Sequence, residues 1–189
     1  MLLNHTTAFS NSHMVAPADA QSFGATLTAQ TRVETEAGWT TVDTLRAGDT
    51  IATLDGGFAK ITAIKTPRET APLVHIPGGV LSNCSDIALP ANAYVGMRTP
   101  ARWIDAPAVS LPVRALSGWR GIRPPLFCGG DLAELHFAEE EMLYAQSGLL
   151  VHAAPTSGNS FFARLGYGDA RAVLALSSNR IGQPDTVAA

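Results

Sequence analysis

Few side chains in this chain of 189 residues are equipped to make or break a covalent bond. There are two cysteines, Cys84 and Cys128, and five histidines, His5, His13, His75, His136 and His152. A thiolate beside an imidazole is a nucleophile with its base. The one such pair close in sequence is Cys128 with His136, across Gly129-Gly130. Free cysteine is more often a small buried hydrophobe than a reactive group, so both cysteines are read as buried and inert. Neither residue type falls at zinc-binding intervals, and His5 and His13 lie in a polar stretch without carboxylates. No metal and no cofactor is expected. His75, between Val74 and Ile76, reads as a half-buried strand residue. The remaining candidates are hydroxyls, and a hydroxyl attacks a carbonyl only with a base beside it.

The elements that would position such groups are short and rich in turns. Thr31, Val33 and Thr35 share one face of an alternating run, and Ala37-Gly38 supplies a reversal. Val42 and Leu45 form an apolar pair beside Arg46-Ala47-Gly48-Asp49, where the Asp49 carboxylate can bind local backbone N–H groups. Ile51–Leu54 is a strand, Asp55-Gly56 a hairpin signal, and Phe58–Ile64 alternates again. Pro67 ends that strand. Leu73–Pro77 and Ala93–Met97 are further strands. Asp131–Gln146 admits two readings. Its Glu, Ala, Leu and Met residues favour a helix, but Leu135 and Phe137, then Met142 and Tyr144, alternate as the arms of a hairpin reversing at Ala138–Glu141. Gly148–His152 closes the core.

Composition sets outer limits. Hydrophobic residues make up 46 % and charged residues 15 % of the chain, enough apolar material for a core. The formal net charge is −3 with scattered Lys and Arg, which argues against a nucleic-acid surface. Gly 17 and Pro 12 suit a turn-rich β protein. Met1-Leu2-Leu3 is followed by Asn4 and His5 rather than a long apolar core, and no run has the ~18 apolar residues of a membrane span. Two cysteines do not make a disulfide framework, so a reduced cytoplasmic setting is the expectation, with secretion by a route lacking a cleaved signal left open.

Four blocks, in order, resemble Hedgehog/intein (Hint) domains of the stand-alone bacterial kind. Thr31–Gly57 is similar to the family's "V-E-D-L-R-x-G-D-x-V-x-T-x-D-G-G" run with its preceding strand. Ile76-Pro77-Gly78-Gly79-Val80-Leu81 with Asp86-Ile87 resembles "I-x-x-G-A-L-G-N … D-L". Thr99–Ile104 resembles "V-P-A-R-x-L". Leu135–Phe137 through Met142–Ala145 and Gly148-Leu149 resembles "H-L-L-F-D-R-H-E-V-V-F-A-N-G-L". The resemblance spans about two-thirds of the chain. It implies an all-β Hint-like fold of short strands and hairpins over residues 25–153. The polar, aperiodic composition of 1–24 reads as a mobile leader, and the Ser-, Gly- and Ala-rich 154–189 as a poorly structured tail with one candidate short helix at Ala170–Ser178. The resemblance also favours the hairpin over the helix at Asp131–Gln146.

Hint domains cut their own backbone: a Cys or Ser attacks the preceding carbonyl, and a histidine of a "[ST]-x-x-H" motif protonates the leaving nitrogen. The family spacing places the nucleophile at Thr26 and the motif histidine at Asn92. Two further family histidines fall at Glu134 and Glu140. Asn92 can hydrogen-bond a peptide but cannot shuttle a proton. No His-Asn pair followed by Cys, Ser or Thr closes the domain. The expectation is a self-processing fold with substituted chemical positions, left with a structural or protein-interaction role and no nucleic-acid or membrane partner. One alternative is weak self-cleavage before Thr26. Another is an unrelated all-β binding protein using Trp39, Trp103 and Trp119 as a recognition surface.

Overall fold

A computed structural model of the chain describes residues 24–55, 57–67, 72–98, 108–125, 130–154 and 160–178. Thr99–Ile104, Trp103, Cys128 and nearly all of the expected leader lie outside them. The first elements follow from the residues that close their turns. β1 (Ala25–Thr28) leads to β2 (Arg32–Thr35) and β3 (Gly38–Thr41), joined at Gly38, whose φ of +107° suits glycine. The Thr35 hydroxyl donates to the Gly38 carbonyl across that turn. Val42–Thr44 is one 3₁₀ turn, and both Val42 and Leu45 are buried. The Asp49 carboxylate accepts the Arg46 N–H at 2.8 Å, as its position suggests. β4 (Thr50–Ala52) and β5 (Phe58–Lys65) are the expected antiparallel pair, with Ile51 opposite Ala59.

β6 (Leu73–Ile76) pairs with β7 (Ile87–Pro90), a strand that the Pro90 at its end hides from a sequence reading. The loop between them is built on buried Asn83, whose amide donates to the Pro77 and Ser85 carbonyls and accepts from the Leu81 N–H. β8 (Tyr94–Arg98) and β9 (Ala108–Pro112) follow. The ambiguous acidic stretch is two strands, β10 (Leu132–Phe137) and β11 (Glu141–Ala145), not a helix. They are not a paired hairpin, however. A register shift between His136 and Phe137 bends β10, and the chain turns a corner at Ala138–Glu140 into a different sheet. β12 is Leu149–Ala153.

The described residues form three sheets: β1-β10-β5-β4, the pair β6-β7, and a seven-stranded sheet containing β9-β8-β12-β11-β2-β3. Its remaining strand comes from the expected tail. β13 (Ala163–Arg164) pairs parallel to β9, and the helix α1 (Tyr167–Ser178) buries Ala170 and Leu174. The Trp119 indole N–H donates to the Leu174 carbonyl and the Ser178 hydroxyl, and Arg171 reaches the Ala115 and Ser117 carbonyls. Within the expected tail, residues 160–178 therefore carry a strand and a helix, held by partners from parts of the chain far from them in sequence. Among the described residues, apart from α1 and the 3₁₀ turns, the architecture is all-β. Leu27, Ile61, Leu89, Leu111, Leu135, Leu143 and Leu149 meet in one core that all three sheets share.

Candidate functional site

β1 buries Ala25 and Leu27 and turns Thr26 and Thr28 to its half-buried face. Thr26 is directly opposite Glu134 of β10, so the two side chains stand on one face with Cβ atoms about 5 Å apart. Two residues along, His136 shares that face, and its Nε2 lies 3.5 Å from Glu134 Oε1. The same carboxylate oxygen accepts the Gly24 N–H at 2.9 Å. Gly24 has to be glycine there, since a Cβ would lie 2.6 Å from the Leu135 carbonyl oxygen and 2.7 Å from Glu134 Cγ. On the far side of β10, Lys65 is in register with Glu134, and the Thr62 hydroxyl donates to the His136 carbonyl. Thus Thr26, Glu134 and His136 come together around the Ala25–Thr26 peptide. That peptide is a regular member of the β1–β10 ladder.

Asn92 stands in the exposed turn after β7, a strand that packs across β1. The neighbouring Ala91 N–H donates to Pro72 O and the Ala93 N–H to Pro90 O. His136 is the residue of the Thr26, Glu134 and His136 group that the sequence reading does not place there, since it pairs that histidine with a cysteine and not with Glu134. The signal was present, because Glu134 and His136 are two apart on a strand and so share a face.

Glu140 belongs to a second constellation. His152 is buried between it and Ser110: His152 Nε2 lies 2.7 Å from Glu140 Oε1 and His152 Nδ1 lies 2.8 Å from Ser110 Oγ. Burial pushes the imidazole below its ordinary value, outweighing the neighbouring carboxylate. The ring is therefore neutral, donating from Nε2 to Glu140 and accepting at Nδ1 from Ser110. Glu140 also accepts the Ser160 hydroxyl at 2.5 Å and the Phe161 and Phe162 N–H groups. With Ser110 fully enclosed, this network is a clasp and not a nucleophile with its base.

The other histidine and cysteine readings change. His75 is exposed, not half-buried, because Val74 and Ile76 take the inward face; its Nε2 meets Asp86 Oδ2 at 3.2 Å. Cys84 is exposed rather than buried, in the loop built on Asn83, where hydrogen bonding with Ser147 and Ser85 holds its thiol below the ordinary value. Trp119 anchors α1, while Trp39 is partly exposed on β3. Among the described residues, no group of three His, Cys, Asp or Glu converges to hold a metal ion.

No protein-family model and no curated protein matches the sequence. Among solved structures, the gp41-1 intein superposes on 67 % of this chain and 98 % of its own, with a TM-score of 0.50 and 13 % identity. The fold is Hint-like. The MchDnaB-1 intein and the Msm DnaB1 intein splicing domain also match, each over 67 % of this chain and 98 % of its own, with TM-scores of 0.43 and 0.44 at 13 % and 15 % identity. Among the described residues, no helix of the Hint-like chain is long and apolar enough to cross a membrane.

Proposed function

We propose that this Hint-like domain, of the stand-alone bacterial kind, derives from self-processing proteins but no longer cuts its own backbone, and that it serves as a structural or protein-binding module. The observation that carries this reading is the setting of the Ala25–Thr26 bond. A hydroxyl replaces the thiol, the residue opposite is the Glu134 carboxylate, and the bond is held in an antiparallel ladder. An acyl shift needs Thr26 Oγ1 to leave that ladder geometry and attack the preceding carbonyl, with donors ready for the oxyanion. Glu134 instead accepts from Gly24, which fixes the segment before the bond.

A second reading, slow cleavage before Thr26, draws on the juxtaposition of Glu134 and His136, a carboxylate and an imidazole on the nucleophile's own face. The intact mass of the full chain, incubated with and without dithiothreitol, separates the two. The first reading expects one unchanged mass. Release of a fragment ending at Ala25, abolished by Thr26→Ala, establishes the second.

A further inference from the structure

A groove of about 550 Å³ opens where three segments meet: Thr53–Asp55, Ala138–Met142 and Phe161-Phe162. It continues past Leu54 into a hollow of about 370 Å³ lined in part by Arg98. The walls are apolar, formed by Leu54, Met142, Phe161 and Phe162. Phe161 is 71 % exposed, the most exposed large apolar side chain among the described residues, and meets Phe162 edge-to-face at 5.1 Å. The backbone that carries it is held at Ser160–Phe162. The Phe161 N–H and the Ser160 hydroxyl are bound to Glu140, itself held by buried His152. A fixed aromatic wall with an open face offers contact area at little ordering cost.

Charge decides what suits it. Asp55, Glu139 and Glu141 line the acidic end, whereas Glu140 is already engaged by the clasp. Burial and the charges of Asp55 and Glu139 push the half-buried Glu141 carboxyl upward, so an occupant carrying positive charge relieves repulsion already present. Arg98 lines the adjoining hollow together with Asp55, and its guanidinium donates to the Tyr144 hydroxyl at 2.8 Å.

We propose that this groove binds a basic side chain, arginine or lysine, presented on an extended segment of a partner polypeptide. The aliphatic stem lies on Phe161 and Leu54, and the charged head sits among Glu141, Asp55 and Glu139. The proposal rests on the protein-binding part of the function above only for the polymeric nature of the ligand.

The test titrates the full chain with an acetylated, amidated Gly-Arg-Gly peptide and with its neutral Gly-citrulline-Gly counterpart, read by amide NMR shifts. Saturable shifts confined to the groove residues, seen with the arginine peptide and weakened by salt, are the expected result. Phe161→Ala and Glu141→Gln should each weaken binding about two- to fivefold. Phe161→Ala removes a side chain and Glu141→Gln only a charge, and an unchanged amide spectrum verifies that each variant is folded. Equal binding of the citrulline peptide, shifts elsewhere, insensitivity to both substitutions, or no binding at all overturns the proposal. So does self-association that Glu141→Gln disperses, since the occupant is then a second copy of the chain. Cleavage is read separately by mass, so a self-cleaving chain that also binds the arginine peptide sinks the functional reading and leaves the groove standing.

Discussion

Four donors converge on Glu140: the His152 ring, the Ser160 hydroxyl and the Phe161 and Phe162 backbone N–H groups. A carboxylate is acceptor-only and can serve them all, whereas the amide of glutamine turns an N–H₂ against a donor. Glu140→Gln should therefore cost about 2 kcal/mol or more in urea unfolding and raise hydrogen exchange in 160–166 before the core. The neutral state of His152 gives a pH dependence with a definite sign. Its native affinity for a proton is below that of an unfolded histidine, so acid favours the unfolded chain. Stability attributable to His152 is intact above the unfolded value near 6.5 and falls as pH drops through it toward the lowered native value. Asp55, lowered chiefly by its bond from Thr53, acts in the same sense but near and below 3.8. Glu141, raised by burial, acts in the opposite sense from about 4.5 upward, so its charge burdens the fold at neutral pH. Urea midpoints between pH ~7.5 and ~5.5 should decline, and His152→Gln should flatten the decline.

At the level of elements, two joints stand out. The turn from β11 to β12 places Gln146 and Ser147 at φ of 46° and 70° and brings Gly148 against the loop after β6. A Cβ on Gly148 would lie 2.2 Å from the Ser82 carbonyl oxygen, which is backbone and has no rotamer to yield. Gly148→Ala should cost about 1–3 kcal/mol by thermal or urea unfolding. α1 is held through Leu174, which is almost fully enclosed. Leu174→Ala should cost about 2–5 kcal/mol and free the Trp119 indole, read as a red-shifted, more quenchable fluorescence. The helix itself is legible as a short segment at Ala170–Ser178, but neither joint is, because nothing local in the sequence links α1 to Trp119 or to the Ala115 and Ser117 carbonyls. β10 and β11, by contrast, were legible as strands only through the family resemblance, since the alternation of Leu135 and Phe137 left the helix open and their separation into two sheets has no local signal. Helix-favouring glutamates yielded to tertiary pairing, Glu134 opposite Thr26 and Glu141 opposite Ala153.

For the molecule as a whole, the turn chemistry around Gly38, Gly48-Asp49 and Asp55 was readable because single residues dictate it. The order of those turns carried the Hint resemblance that the intein superposition bears out as a fold. The grouping of Thr26, Glu134 and His136 depends on long-range pairing of β1 with β10, which no local pattern encodes. If a preserved scaffold has lost only its reactive groups, then Thr26→Cys with Asn92→His should restore thiol-dependent cleavage where neither change alone does, since nucleophile and acid act as a unit. Intact mass reads the outcome.

If the domain no longer cuts its own backbone, the native Ala25–Thr26 bond never becomes an ester. Hydroxylamine intercepts an ester even when it is a minor species at equilibrium, so the most direct measurement is intact mass after prolonged treatment of the folded chain with it. The prediction is a mass distribution indistinguishable from that of Thr26→Ala. Release of the segment ending at Ala25 from the native chain but not from Thr26→Ala would contradict it.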